Sequence, residues 1–321
     1  MKSITVDEVK DLCQRSHTVK GRAGILVKGS KQLLADEIVA CLPPAEVFVD
    51  CFGGGASVAM AALRSGKYRR VVYNEKAPIL YECVRNTVNG DYYNNFVPFV
   101  NFDDYKTTTD ARAKICFSFN GLWWTYGYRS SHVPIVEVLH YWLLDSTKIP
   151  SFDLLSEIHP QLEATECLRN DVWKHIQVVS RIVCEWFGDK GEFGSYNKNG
   201  GNFRLVHLLR QKSLNAIYET VQKHGSVECY NLDYRELAEK FSNEDVVLYC
   251  DPPYKSVTGY QSSKGIPFDY DSFLEWCKDN SGKVFISERA ELPFQILWSK
   301  TKNAGVTTVD RRIATEYLYR A

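Results

Sequence analysis

Residues 246–250, Val-Val-Leu-Tyr-Cys, present apolar side chains to both faces of any strand they form, and the run stops at Asp251-Pro252-Pro253-Tyr254. A strand apolar on both faces must be covered on both sides, which places it in the middle of a parallel sheet flanked by helices. The ending constrains the chain further. Proline cannot donate to a sheet ladder, and an acid at the end of a buried strand is costly unless it holds something.

Similar strand signals lie on either side. Residues 46–50 (EVFVD) run into the loop CFGGGAS and a helix beginning near Ala56. Residues 69–75 (RRVVYNE) predict a second strand, and 78–88 (PILYECVRNTV) a second helix with Pro78 in its first turn. This βαβα order predicts a parallel sheet. A second block supplies strands at 226–232, 245–250 and 283–287, helices at YRELAEKF and 269–279, and late strand candidates GVTTVD and TEYLYR. Between the blocks, VPIVEVLHYWLL and DVWKHIQVVSRIVCEWF read as helices, followed by the Gly- and Asn-rich loop 188–204. The expected architecture is α/β: a Rossmann-like sheet from residues 1–115 and 225–321, interrupted by a mostly helical subdomain at 116–224.

With 39 Lys plus Arg against 39 Asp plus Glu, the net charge is zero, so binding to a polyanion has to come from local basic patches. The ten cysteines include no CxxC pair, and the seven histidines show no metal-ligand spacing, so free thiols in a reducing compartment and no metal are expected. No stretch approaches the roughly 18 apolar residues that span a bilayer. The reading is a cytoplasmic protein with no membrane association.

Three acids sit at predicted strand ends. Asp50 precedes Phe52-Gly53-Gly54-Gly55, an arrangement in which glycines let a nucleotide-like ligand approach the backbone, although its spacing is not GxGxxG and a tight strand-to-helix turn needs glycines too. Glu75, about twenty residues on, stands where a ribose hydroxyl is commonly bonded, or where an acid simply favours a helix start. Asp251 is the sharpest signal. Its carboxylate can accept one hydrogen of an exocyclic amino group and the Pro252 carbonyl the other, drawing electron density onto a nitrogen that then attacks a methyl group, while Tyr254 stacks on the ring.

The order FVDCFGGGAS, VVYNEKAPILYECVRN, NLDYREL and VLYCDPPY resembles the Dam-like (D12 class) DNA N6-adenine methyltransferases, with the nearer likeness to phage-encoded adenine methylases in ICFSFNGLWWTYGY, PIVEVLHYWLL and VFISE. The resemblance runs from about residue 24 to the end. It implies an S-adenosylmethionine-dependent methyltransferase sheet and a site-specific enzyme, of the kind found in restriction-modification, that methylates N6 of adenine. Asp251, Pro252, Pro253 and Tyr254 would form its catalytic tetrad. Asp50, Phe52, Gly53 and Gly55 would line the cofactor, Glu75 would bond its ribose, and Asp233 would receive its adenine amino group. Lys31, in Gly29-Ser30-Lys31, matches the family's Gly-Gly-Lys element and becomes a cofactor contact. Val27 and Ser30 depart from that element, and Glu75 stands where many relatives have Asp.

The partner implied is DNA with a flipped adenine, met by a monomer. Aromatic and basic residues in SFNGLWWTYGYRSSH, with Arg129, and in the loop carrying Asn197, Lys198 and Arg204, followed by Arg210 and Lys212, are the expected DNA contacts. Two other readings share these residues. The same grip suits N4 of cytosine, and a non-catalytic phage protein that binds DNA or a partner could keep the fold.

Overall fold

The structure, a computed structural model, describes residues 4–15, 23–27, 29–119, 121–128, 130–189, 205–254, 268–303 and 313–321. Nine strands occur among them: β1 (Ala45–Asp50), β2 (Tyr68–Asn74), β3 (Ser118–Phe119), β4 (Leu122–Tyr126), β5 (Val227–Tyr230), β6 (Val246–Cys250), β7 (Val284–Glu288), β8 (Gln295–Asn303) and β9 (Ile313–Arg320). The chain divides into two compact units, one of residues 1–22 and 91–216, the other of residues 23–90 and 217–321. The helical unit thus includes residues 91–115 and the amino-terminal helix as well as most of the stretch 116–224.

The second unit holds a seven-stranded sheet in the order β5-β2-β1-β6-β7-β9-β8. The first five strands are parallel, and β9 runs antiparallel to both β7 and β8. This is the Rossmann-like α/β sheet expected. Every residue of β6 is buried, as its two-faced apolar run requires. Side chains alternate across the sheet. Val47 and Val49 join Leu248, Ile286 and Phe273 in one apolar cluster, while Phe48 stacks against Tyr249 with centroids 6.3 Å apart.

Connections follow from local chemistry. The helix Ser57–Ser65 is rich in alanine and buries seven of its residues, ending at Gly66 with φ 65°. Pro78 starts the next helix, Pro78–Asn89, where its missing N–H costs nothing, and Gly90 at φ 91° ends it by donating to the carbonyls of Asn86 and Thr87. Strand order reverses between β1 and β6. Successive crossovers leave in opposite directions there, opening a crevice at the carboxyl ends of these two strands.

Three strands were not expected from sequence. β8 is an edge strand whose Ile296 is 53% exposed, so no buried stripe marks it. The candidate GVTTVD lies outside the described residues. In the other unit, β3 and β4 form an antiparallel pair within the stretch read as helical. Its aromatics are largely structural: Phe117 stacks on Tyr126, whose hydroxyl donates to the Val100 carbonyl at 2.8 Å.

The helical unit packs Val6–Arg15, Val133–Leu144 and Val172–Asp189 around Val9, Leu139, Ile176 and Val183. A polar chain crosses it. The Tyr128 hydroxyl lies 2.7 Å from His207 Nδ1, and His207 Nε2 lies 3.0 Å from His140 Nδ1. Arg210, expected at a DNA surface, is instead 4% exposed and donates to the carbonyls of Ile115, Cys116 and Ser118, at the end of the helix Ala111–Cys116. A cation there offsets the negative end of the helix. No helix among the described residues is long and apolar enough to cross a membrane.

Burial depresses His140 to about 4, helped by the Lys148 charge, and depresses His207 further, with the His140 and Arg210 charges adding to it. An unfolded histidine takes up its proton near about 6.5 while these two stay neutral, so the unfolded state binds more protons below that pH and stability falls as pH drops. Amide protection in the helix Val133–Leu144, corrected for intrinsic exchange, should therefore decrease between about pH 7 and about pH 5; unchanged protection would contradict a buried neutral pair.

Candidate active site

The parallel registers pair Asp50 with both Tyr73 and Tyr249, and Asn74 with Tyr230. Three strand ends are thereby level, and the acids that follow or end them, Asp50, Glu75 and Asp251, all line one cavity of about 270 Å³ at the switch point. Asn74 ties the edge together. Its amide donates to the carbonyls of Cys51 at 2.9 Å and Leu232 at 3.1 Å, and its oxygen accepts from the Leu232 N–H at 2.9 Å.

The glycine loop is built for close packing. A Cβ on Gly53 would sit 2.3 Å from the Tyr73 ring, and one on Gly55 would sit 2.1 Å from the Ile25 carbonyl oxygen, which belongs to a segment held by an Ile25 N–H bond to the Gly55 carbonyl at 2.7 Å. Gly54 needs its freedom instead, with φ 49° and open space where a side chain would stand. Ala56 follows at φ 64°, a left-handed conformation that an L-residue adopts at some cost. Strain next to a cavity of this kind is consistent with function.

Each acid has a distinct environment. Asp50 is 1% exposed; its Oδ2 accepts from the Ala59 N–H at 3.2 Å, whereas Oδ1 is buried without a partner among the described residues. Burial first, and then the Asp251 charge, push its carboxyl well above the usual range. Glu75 accepts from the Gly54 and Ala77 N–H groups, each at 2.8 Å, and burial raises it despite those bonds. A carboxylate offers about four lone-pair sites, which leaves capacity for further donors.

Asp251 is held by Lys31. The ammonium lies 2.6 Å from both carboxylate oxygens and is itself 5% exposed. Burial raises Asp251 to about 6, against the opposing pull of Lys31. Pro252, Pro253 and Tyr254 line the same cavity, as do Phe52, Gly53 and Gly55. Phe52 also packs its ring against Tyr234 and Phe273, at 5.3 and 5.8 Å.

Asp233 is placed differently. The cavity lining does not include it. It caps the helix Tyr234–Lys240 through the Arg235 N–H and pairs with Arg235 and with Lys76 at 2.8 Å. Burial works to raise it, but Arg235 and Lys76 overcome this and bring it to about 2. Arg129, Asn197, Lys198 and Arg204 lie outside the described residues. No three His, Cys, Asp or Glu side chains among the described residues are placed so that they could hold a metal ion together.

A model of the D12 class N6 adenine-specific DNA methyltransferases matches residues 28–109 and 187–310, more than half of the chain. The chain belongs to this family. Methylation of adenine N6 in DNA is accordingly its activity, and membership implies S-adenosylmethionine as the methyl donor. Among solved structures, the rRNA methyltransferase aviRa from Streptomyces viridochromogenes is similar at 11% identity, with a TM-score of 0.31, over 100% of this chain and 86% of that one. So low a score adds nothing to the fold, which rests on the strand order. No match is found among curated proteins.

The structure brings two further residues to this cavity and its acids. Glu316, in β9, is 1% exposed and accepts a hydrogen bond from the Tyr254 hydroxyl. Arg289, just after β7, lines the cavity and places Nε 3.3 Å from the other Glu316 oxygen. Sequence offered one signal: in the strand TEYLYR, Glu316 is in phase with the buried Leu318, and an acid on an apolar face is expensive unless engaged.

The two glycine requirements are separable by substitution. Gly55→Ala forces backbone apart and should lower stability by about 1–3 kcal/mol, with loss of S-adenosylmethionine binding in calorimetry. Gly54→Ala meets no neighbour and should cost only its conformational strain, about 1–2 kcal/mol, with binding retained.

Proposed function

We propose that this methyltransferase holds the N6 amino group of an adenine extruded from duplex DNA between the Asp251 carboxylate and the Pro252 carbonyl, with the Tyr254 ring against the base. The observation that carries this reading is the convergence of Asp50, Glu75 and Asp251 on one cavity at the strand switch point. A duplex adenine has to leave the stack to bring its amino group to such a recess.

The residues fit the methyl donor. The partnerless Oδ1 of Asp50 suits a cationic amino group, and that cation would relieve the penalty that burial and Asp251 impose. Glu75, fixed by two backbone N–H groups, keeps lone pairs for vicinal hydroxyls, and Phe52 supplies an apolar wall. Asp233, at the turn after β5, would serve an adenine amino group by exchanging it for Lys76. S-adenosylmethionine supplies an electrophilic methyl group when bound. The chain's own contribution is to orient the amine: two acceptors pull its hydrogens out of the ring plane, and the lone pair becomes available on nitrogen. The Asp251 carboxylate then stands nearest the proton the nitrogen must shed.

The family match leaves out residues 110–186, within the helical unit. We assign target selection to that unit together with the stretch that carries Asn197, Lys198 and Arg204 and with Arg129. Lys198→Glu combined with Arg204→Glu should weaken DNA binding by about tenfold or more and flatten its salt dependence, which fluorescence anisotropy across a salt series measures; unaltered binding would remove these residues from the interface.

Asp251→Ala should lower methyl transfer by about 100- to 1,000-fold while calorimetry still shows cofactor binding. In the unmodified enzyme the acceptor must be ionised, so the single-turnover rate should fall about tenfold per pH unit below about 6. The readout is labelled N6-methyladenine after hydrolysis of the DNA; full activity in the alanine variant would overturn the assignment.

A further inference from the structure

Asp251 presents a difficulty for the reading above. Both of its oxygens lie 2.6 Å from the Lys31 ammonium, so a target amino group competes with Lys31 for this carboxylate and loosens their contact as it binds. Released Lys31 would have no water to turn to, because its side chain is 4% exposed. A buried ammonium separated from its carboxylate is strongly destabilised, and the exchange requires a second acceptor within reach.

Glu316 provides one. Its Oε1 lies 3.3 Å from Lys31 Nζ, on the strand β9 rather than on the loop that carries Asp251. The same oxygen accepts from the Tyr254 hydroxyl, and Oε2 lies 3.3 Å from Arg289 Nε. Both cations also lie near the Tyr254 ring, with Lys31 Nζ 4.8 Å and the Arg289 guanidinium carbon 5.5 Å from its centroid. One carboxylate thus touches the lysine that guards Asp251 and the aromatic expected to meet the base.

We propose that Glu316 is a positioning residue of the transfer reaction, taking up Lys31 when Asp251 turns to the target amino group and holding the Tyr254 ring by its hydroxyl. The proposal rests on the assignment of Asp251 as the amine acceptor. Glu316 does not touch the reacting atoms; it acts through Lys31 and Tyr254.

Glu316→Gln tests this, since the amide keeps the volume and still accepts from Tyr254 but offers no charge to Lys31. With rates normalised to the number of cofactor-binding sites counted by calorimetry, so that misfolded protein is not scored, the variant should bind S-adenosylmethionine within about twofold of the unmodified enzyme. Its KM for DNA should change little, and its single-turnover rate should fall about tenfold or more. Lys31→Met added to Glu316→Gln removes the stranded ammonium, so at saturating cofactor the loss in the double variant should be smaller than the product of the two single losses, a non-additive pair. A wild-type rate in Glu316→Gln, with Asp251→Ala inactive, would overturn the positioning role and leave the amine grip standing. Additive losses, or a rate that falls only in step with cofactor affinity, would overturn it as well. Full activity in Asp251→Ala would instead remove the reading on which it rests.

Discussion

The parallel pairing of β1 with β6 sets the chemistry of this protein. With Asp50 level with Tyr249, the residue after each strand emerges at the same edge, and the reversal of strand order there leaves a crevice in place of a crossover. β2 adds Glu75 at the same height through its own register with β1. Three carboxyl groups on three strand ends would repel one another and resist burial in a scaffold without ligands to receive. Their environments pull them apart: Glu75 is bonded to backbone, Asp251 to a lysine, and Asp50 retains one oxygen with no partner.

Such an edge is an unfavourable place to bury charge, and the fold offsets that locally. Gly53 lies against Tyr73, Gly55 against Ile25 and Gly24 against Ser57 at distances no side chain permits, and the last two hold the segment 23–27 against the start of the helix Ser57–Ser65. That segment leads directly to Lys31, the counter-charge of Asp251. The close approach at Gly55 therefore also helps to place the segment that leads to the cation paired with Asp251. Glu316 and Arg289 extend the network from the antiparallel side of the sheet, so groups from the amino-terminal segment, from β6 and β7, and from β9 meet at one point.

The helical unit follows a different logic. Its core is mainly aliphatic, with a buried hydrogen-bonded run from Tyr128 through His207 to His140 and an arginine turned inward onto helix carbonyls. These interactions fix side-chain placement through directional bonds, which an aliphatic core alone does not supply. Of the basic and aromatic residues that looked suited to nucleic acid in one dimension, Arg210 is buried in this interior and the half-buried Tyr126 is bonded to the Val100 carbonyl.

Sequence by itself determined the parallel sheet and the ends of its strands. A run apolar on both faces admits few environments, and Asp251-Pro252-Pro253-Tyr254, the glycine loop and Glu75 each mark a strand end by what they cannot do inside a ladder. β8 escaped because an edge strand needs no buried stripe, and the β3–β4 pair because its few residues carry too short a pattern to register. Only the tertiary structure decided which charges meet. Lys31 and Asp251 are 220 residues apart in the chain, and Glu316 approaches them from an antiparallel strand whose alternation shows that it is buried but not what it faces. Periodicity is a local property of the chain, whereas the pairing of buried charges depends on where distant strand ends come to lie.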